Sequence, residues 1–172
     1  MTARPPALLP GRIVIPPAEM TVMHDLSVSI DFLEFPSEMI CGKENTSPKI
    51  TIRGLEARSV AIMVFNPSIR GHLSYCTWLI WNLPAQEVIP AGIPFGSILT
   101  VPVSAHQGTN DAGEIGFTSP CPLPGEMHRY LFRVYGLDDF IPLPGGAKKH
   151  ELQGAMHGHI LQYGETEIVA TR

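Results

Sequence analysis

Short apolar segments, separated by prolines and glycines, run through most of the chain. Residues 59–65 (SVAIMVF) are apolar at every position after the first, which predicts a central strand covered on both faces. Residues 75–83 (YCTWLIWNL) combine aromatic and β-branched side chains and predict a second strand. Residues 165–172 (ETEIVATR) suit a final strand. The apolar pattern therefore predicts a domain built mainly of strands.

One further segment, residues 129–137 (RYLFRVYGL), alternates between two kinds of side chain. Successive residues of a strand point to opposite faces, so Tyr130, Phe132 and Val134 share one face and the two arginines lie on the other. This pattern predicts a strand with an apolar inner face.

Helical spacing is confined to residues 147–162 (AKKHELQGAMHGHILQ). Leu152 and Met156 fall on one side of this segment, although Gly154 and Gly158 weaken the helix. The chain holds 17 prolines and 16 glycines, which exclude long helices elsewhere. We therefore predict a mainly β fold, a β-sandwich of two packed sheets with one C-terminal helix.

The domain organisation follows from length and local composition. Residues 1–20 are predicted to form a poorly ordered or strand-adding N-terminal arm, and residues 21–172 a single domain. Charged residues make up 16% of the chain, below the roughly 25% of an average soluble protein. That low share fits either a large buried core or a homo-oligomer that hides part of its surface.

Charge and hydropathy exclude several classes of partner. The net charge is −4 and the chain has no cluster of lysine or arginine, which argues against binding to nucleic acid or to anionic lipid. No segment approaches the roughly 20 apolar residues of a transmembrane helix, so no integral membrane association is expected. The proline-interrupted start does not resemble an export signal.

The cysteines bear on the compartment. Cys41, Cys76 and Cys121 are far apart in the chain, odd in number and free of any CxxC pair. This spacing predicts reduced, mostly buried thiols and a cytoplasmic protein, with no disulfide. Cys121 as a nucleophile would need a basic partner, and only His128 is near it in sequence. A small buried hydrophobic residue is therefore the favoured interpretation of Cys121.

Candidate chemistry centres on residues 118–130 (TSPCPLPGEMHRY). His128 and Tyr130 are two positions apart on the predicted strand and so point the same way. The three prolines before them stiffen the approach, and an imidazole and a phenol held there can hydrogen-bond a small anion. From spacing alone the alternative is favoured, in which His128 caps the strand and Tyr130 fills the core.

Two further polar positions follow the apolar strand, at the turn NPSIRGH (residues 66–72). Asn66 and Ser68 lie where ligands often bind, at the end of a strand, although such side chains also close their own turns. His157 and His159 face different sides of a helix and cannot chelate a metal together. No metal or other cofactor is predicted.

Three longer motifs resemble a known family. They are MICGKENTSPKI (residues 39–50), TWLIWNLPA (77–85) and, most specifically, QGTNDAGEIGFTSPCPLPGEMHRY (107–130). Together they resemble the phosphatidylethanolamine-binding proteins, in the branch of bacterial and archaeal Raf-kinase-inhibitor-like proteins. The resemblance runs from about residue 35 to the C-terminus.

The resemblance implies a β-sandwich with a small pocket at one end. In the family that pocket accepts phosphate-like groups, including phosphoethanolamine head groups, and some members help to regulate kinases or proteases. The ligand-binding residues predicted for this chain are Asn66, Ser68, Thr77, Ser119, Pro120, His128 and Tyr130.

Several of these positions depart from the family pattern. An Asp-Pro-Asp-x-Pro element is replaced by NPSIR (residues 66–70), a histidine by Thr77 and a glycine by Ser119. Two carboxylates and one imidazole are thus lost. His128 is expected to lack an orienting partner, which argues against an enzyme. The loss also removes repulsion towards an anion, while Asn66 keeps an amide donor.

Two functions remain open at this point. The first is a non-enzymatic protein that binds a small anionic or phosphate-bearing ligand in a diverged pocket, with a regulatory role. The second is an interaction module with a vestigial pocket, which acts through its surface as an inhibitor of a protease or kinase, or through self-association. The sequence does not identify the ligand or a protein partner.

Overall fold

The computed structural model of the chain describes residues 24–72 and 74–172. The predicted arm, residues 1–20, and the predicted start of the domain at residue 21 lie outside the described residues. Strands dominate the described part of the chain, with one short 3-10 helix, Ser37–Met39, and one α-helix, α1. The elements are β1 (His24–Asp25), β2 (Ser27–Ile30), β3 (Ile50–Arg53), β4 (Ser59–Asn66), β5 (Tyr75–Pro84), β6 (Val88–Ile89), β7 (Ile98–Leu99), β8 (Ala105–Thr109), β9 (Met127–Leu137), β10 (Gly146–Lys148), α1 (Lys149–Met156) and β11 (Ile160–Thr171).

The strands form two sheets. The larger has eight strands, in the order β1-β11-β9-β4-β5-β8-β10 with β7 paired to β8, and the smaller has three, in the order β2-β3-β6. Neighbouring strands run antiparallel, except that β1 is parallel to β11 and β10 is parallel to β8. The prediction of a mainly β sandwich with a C-terminal helix is confirmed.

Strand β4 is buried along its entire length, as its unbroken apolar sequence predicts. Its side chains alternate between two apolar clusters. One cluster lies between the two sheets and includes Ile50 and Ile52 of the smaller sheet. The other includes Leu152 and Met156 of α1. Each fully buried aliphatic side chain contributes about 1.5–3 kcal/mol, so this double coverage makes β4 and its neighbours the stable centre of the fold.

Strand β9 shows the predicted alternation. Its aromatic and aliphatic face is buried against the core between the sheets. On the outer face, Arg129 lies 2.6 Å from Glu167 and Arg133 lies 2.8 Å from Glu165, both on the neighbouring strand β11. At the start of β9, near one end of the sandwich, the side chains of this inner face therefore point towards the interior.

The helix is shorter than predicted. It spans Lys149–Met156, whereas the sequence pattern extended to residue 162. Its start is capped by Glu151, whose carboxylate accepts the backbone N–H of Lys148 at 2.7 Å. The backbone leaves the helical conformation at His157, whose ψ is 126°, Gly158 follows with a φ of +81°, and Ile160 already belongs to β11. Among residues 24–72 and 74–172, no helix is long and apolar enough to cross a bilayer.

The prediction of three unpaired cysteines is wrong. Cys41 and Cys121 form a disulfide across a sequence separation of 80, and only Cys76 is free and buried. The sequence did not reveal the pair for two reasons. The chain has an odd number of cysteines, and the segments that carry Cys41 and Cys121 meet only after folding. A cross-link that closes a loop of this length contributes about 4.5 kcal/mol in the chain-entropy treatment.

Gln107 ties the sheet to the segment before β7, and its replacement tests that connection. The fully buried side chain accepts a hydrogen bond from Trp78 Nε1 at 2.8 Å and donates to the carbonyls of Pro94 and Gly96 at 2.8 and 3.0 Å. Gln107→Ala leaves these groups without partners, so we expect the free energy of unfolding in urea to fall by about 3 kcal/mol.

The matched control is Gln153→Ala, which removes an exposed side chain from α1. This change should alter the free energy of unfolding by less than about 0.5 kcal/mol. Equal effects of the two substitutions would contradict the structural role of Gln107.

Candidate functional site

The carboxamide of Asn66 connects the side chains at one end of β9. Asn66 is the last residue of β4 and is buried. Its Oδ1 accepts the backbone N–H of Ser68 at 3.0 Å, so its Nδ2 must face the other way. Nδ2 lies 3.1 Å from His128 Nδ1 and 3.2 Å from the Tyr130 hydroxyl. A single amide thus orients both rings.

Strand register explains why these three side chains meet. Phe65 pairs with Leu131 across the antiparallel strands β4 and β9, which places Asn66 beside Tyr130. His128 is two residues before Tyr130 and therefore lies on the same face of β9. The prediction that His128 and Tyr130 point the same way matches this arrangement.

The proton positions on His128 follow from the donors and acceptors around it. Nδ1 faces an amide donor and so accepts, which leaves Nε2 as the protonated nitrogen of the neutral ring. Nε2 lies 3.1 Å from Oε2 of Glu126, a carboxylate that accepts this N–H. The expectation that His128 lacks an orienting partner is therefore wrong, since Asn66 and Glu126 both hold its ring. Glu126 immediately precedes β9, two positions before His128, and this spacing was the signal that could have identified the pair.

Tyr130 forms the inner support of this arrangement. Only 4% of the residue is exposed, and its ring packs edge-on against Phe35 with centroids 5.7 Å apart. Burial raises the pKa of Tyr130 to about 12, against the opposing effect of the hydrogen bond from Asn66. The phenol is therefore neutral at physiological pH, and its ring belongs to the core.

Three hollows in the described part of the chain are lined by residues of the predicted motifs. We call the first the His128 hollow: it has a volume of about 620 Å³ and is lined by Ser68, Ile69, Arg70, Cys121, Leu123, Glu126, Met127 and His128. The Ser119 hollow, of about 340 Å³, is lined by Glu38, Met39, Gly42, Lys43, Glu44, Asn45, Thr46 and Ser119. The Arg172 hollow, of about 420 Å³, is lined by Ser37, Ile40, Cys41, Thr171 and Arg172.

The seven predicted ligand-binding residues are divided among these surroundings. Ser68 and His128 line the His128 hollow, and Asn66 and Tyr130 lie behind His128. Ser119 lines the Ser119 hollow instead. Thr77 is buried on β5, with its hydroxyl 3.5 Å from the carbonyl of Val64, and lines none of the three hollows.

Pro120 lies between Ser119 and Cys121, which line different hollows, and it helps to hold this segment in place. It is buried, and its carbonyl accepts the backbone N–H of Cys41 at 2.7 Å. The neighbouring Ser119 N–H donates to Oδ1 of Asn45 at 2.8 Å. Together with the disulfide, these bonds fasten the segment around residue 41 to the segment around residue 120. The proline-rich loop is therefore held by contacts with the segment around residue 41, in addition to the stiffness that its prolines provide.

Sequence reasoning missed two other members of the site. Arg70 and Glu126 both line the His128 hollow, and both are exposed. Each lies within a segment that the motif comparison had already marked, but neither belongs to the matched pattern. Within the two described ranges, no three histidine, cysteine or acidic side chains come together as a metal site.

Comparisons with known proteins identify the family of this chain. The family model for the phosphatidylethanolamine-binding protein matches residues 21–171. A UPF0098 protein of Pyrococcus abyssi is 39% identical over 133 residues, which cover 76% of this chain and 74% of that protein. A UPF0098 protein of Methanothermobacter thermautotrophicus is 36% identical over 137 residues, covering 78% of this chain and 87% of that protein.

Solved structures show the same fold. YbcL of E. coli, described as a member of the mammalian PEBP family, has a TM-score of 0.75 at 24% identity and covers 87% of this chain and 99% of its own. The putative PEBP homologue CT736 of Chlamydia trachomatis has a TM-score of 0.69 at 28% identity, covering 86% of this chain and 97% of its own. The chain therefore belongs to the phosphatidylethanolamine-binding protein family, in its bacterial and archaeal branch.

Proposed function

We propose that this protein binds a small anionic or phosphate-bearing ligand in the His128 hollow. The observation that carries the proposal is the position of the Glu126 carboxylate. One of its oxygens accepts the Nε2–H of His128 at 3.1 Å, and both side chains line the hollow. The ring therefore directs a donor to a place where an anionic oxygen can lie. A phosphate or carboxylate oxygen of a ligand can take the same place.

The donor is rigid and its present acceptor is displaceable. The His128 side chain is 15% exposed and is held from behind by Asn66, whereas the Glu126 side chain is 49% exposed. Exchange of Glu126 for a ligand oxygen therefore costs little packing. Glu126 also competes with the ligand, which predicts modest affinity.

Arg70 supplies the positive charge of the hollow. Its guanidinium can make paired hydrogen bonds to two oxygens of a phosphate or carboxylate, a geometry that favours such groups over chloride. The family model that matches this chain bears a name that refers to a phospholipid head group, and that name is consistent with a phosphate-bearing ligand for this chain.

A role in binding without catalysis fits the surroundings of His128. The nitrogen of the neutral ring that could accept a proton, Nδ1, is occupied by the Asn66 amide, and Nε2 already carries the proton. A general base needs a free nitrogen directed at the reacting proton. We therefore propose a non-enzymatic, regulatory protein. Its cellular location stays a prediction, because the disulfide removes the argument from reduced thiols that favoured the cytoplasm.

A second candidate function is surface-mediated binding of a protein, with the hollow vestigial. Leu123 and Met127 on its rim are 65% and 57% exposed, and Glu126 already satisfies the donor of His128. Apolar side chains of this kind are enriched at protein interfaces. This candidate retains the inhibitor-like role towards a protease or kinase that the family resemblance implies.

Titration with O-phosphoethanolamine and inorganic phosphate, followed by calorimetry and by thermal unfolding, tests the first candidate. We expect saturable binding that weakens at least about tenfold in His128→Ala and in Arg70→Gln, since each loses a hydrogen bond to a charged oxygen. Glu126→Gln should bind more tightly, by about fivefold, because the competing negative charge is gone.

The matched control for this titration is Arg58→Gln. Arg58 lies at the opposite end of β9, where its N–H bonds to the carbonyl of Leu137 at 2.9 Å. Its replacement should leave the affinity unchanged. Equal weakening by Arg58→Gln and Arg70→Gln, or no binding by any of the proteins, would reject the first candidate and favour the second.

The direction of the Asn66 bonds gives an independent prediction. At pH values where the ring is neutral, two-bond ¹H–¹⁵N spectra should show the proton of His128 on Nε2. Asn66→Asp replaces the donor by a carboxylate, so Nδ1 should acquire a proton. The exposed His150 of α1 serves as the control and should be the same in both proteins. A proton on Nδ1 of His128 in the unaltered protein would contradict the assignment.

A further inference from the structure

The disulfide lies between two of the hollows. Cys121 lines the His128 hollow, Cys41 lines the Arg172 hollow, and both residues are exposed. Exposed disulfides are the chemically labile ones, because a thiolate can reach them without unfolding the protein. Each sulfur of this pair can therefore be approached from its own side.

Arg172 makes the two sulfurs different. Its Nη1 lies 4.0 Å from Sγ of Cys121 and 3.4 Å from the carbonyl of Pro122. The backbone of Arg172 is fixed as well, since its N–H donates to the carbonyl of Glu126 at 3.2 Å and its carbonyl accepts the N–H of Gly125 at 2.8 Å. A guanidinium held beside a sulfur stabilises negative charge on that sulfur.

We propose that the Cys41–Cys121 disulfide is an exchange site for small thiols that carry a carboxylate, and that they attack Cys41. A thiolate in the Arg172 hollow bonds to Sγ of Cys41 from the side opposite Cys121. The Cys41–Cys121 bond breaks, and its electron pair leaves on Sγ of Cys121. One disulfide bond replaces another, and the proton lost by the incoming thiol is available to the thiolate released.

Two effects of the Arg172 side chain favour attack on Cys41 over attack on Cys121. Exchange is faster when the departing sulfur is the more stable thiolate, and the guanidinium lies beside Cys121. The same residue lines the hollow through which Cys41 is reached, so its charge also attracts an anionic thiol. This exchange needs no ligand in the His128 hollow and is independent of the proposed function.

Cys76 provides an internal control. Its thiol is buried, it donates to the carbonyl of Trp78 at 3.3 Å, and burial raises its pKa to about 12. A thiol in that state does not react with alkylating reagents at neutral pH while the protein is folded. Labelling of Cys76 therefore reports unfolding, and absence of that label shows that the exchange took place on the native protein.

The experiment first exposes the native protein briefly to reduced glutathione, then alkylates all free thiols with an excess of iodoacetamide, and maps the products by mass spectrometry. We expect glutathione on Cys41, carbamidomethyl on Cys121 and no label on Cys76. Glutathione on Cys121, or equal amounts on the two cysteines, would overturn the assigned direction. An intact disulfide under conditions that cleave it in the unfolded chain would overturn the exchange site itself.

Arg172→Gln tests the role of the guanidinium. Its replacement should slow exchange with glutathione about fivefold, the size of an interaction between exposed charges, and should reduce the preference for Cys41. Exchange with 2-mercaptoethanol, which has no carboxylate, should slow less. Arg58→Gln is the control for the loss of one positive charge and should leave both rates unchanged. Unchanged rates and an unchanged product ratio in Arg172→Gln would remove Arg172 from the proposal.

Discussion

The burial of β4 on both faces is the constraint on which the rest of the structure depends. A strand without a polar face needs a cover on each side, and in this chain the smaller sheet provides one and α1 provides the other. Strand β9 has one apolar face and one face with charged side chains, so a shift by one residue would bury its arginines, and its register with β4 is therefore fixed. The fixed register places the polar residue at the end of β4, Asn66, against the two rings of β9.

Asn66 in turn fixes the orientation of side chains nearer the surface. Its amide has one acceptor oxygen and two N–H donors, and the turn at Ser68, His128 and Tyr130 use all three. An aspartate in this place would offer only acceptors, so the rings around it would have to supply the protons. The presence of an amide instead of a carboxylate at the last residue of β4 therefore reverses the direction of its hydrogen bonds to His128 and Tyr130. The donor of the His128 ring consequently faces outwards, where Glu126 now accepts it.

The sequence was informative where one pattern determines one outcome. The apolar run of β4 and the alternation of β9 each specify a strand and its faces, and the motif around residues 107–130 specifies the family. It was uninformative where an outcome depends on segments that meet only after folding. The Cys41–Cys121 pair, the separation of Ser119 from the His128 hollow and the burial of Thr77 are all of this kind. The helix was overestimated because apolar spacing continues past Met156, whereas the backbone leaves the helical conformation at His157.

The disulfide also changes the covalent form of the molecule. Residues 41–121 become a closed ring that contains β3 to β8, including the neighbouring strands β4 and β5 of the larger sheet. A protease that cuts once in an exposed turn of this ring, such as the one at Arg70 and Gly71, releases no fragment. The nicked molecule differs from the intact one by a single water, and the two pieces separate only under reducing conditions. A denaturing gel without reducing agent would therefore show one molecule of unchanged mass. The two pieces would stay joined through the disulfide.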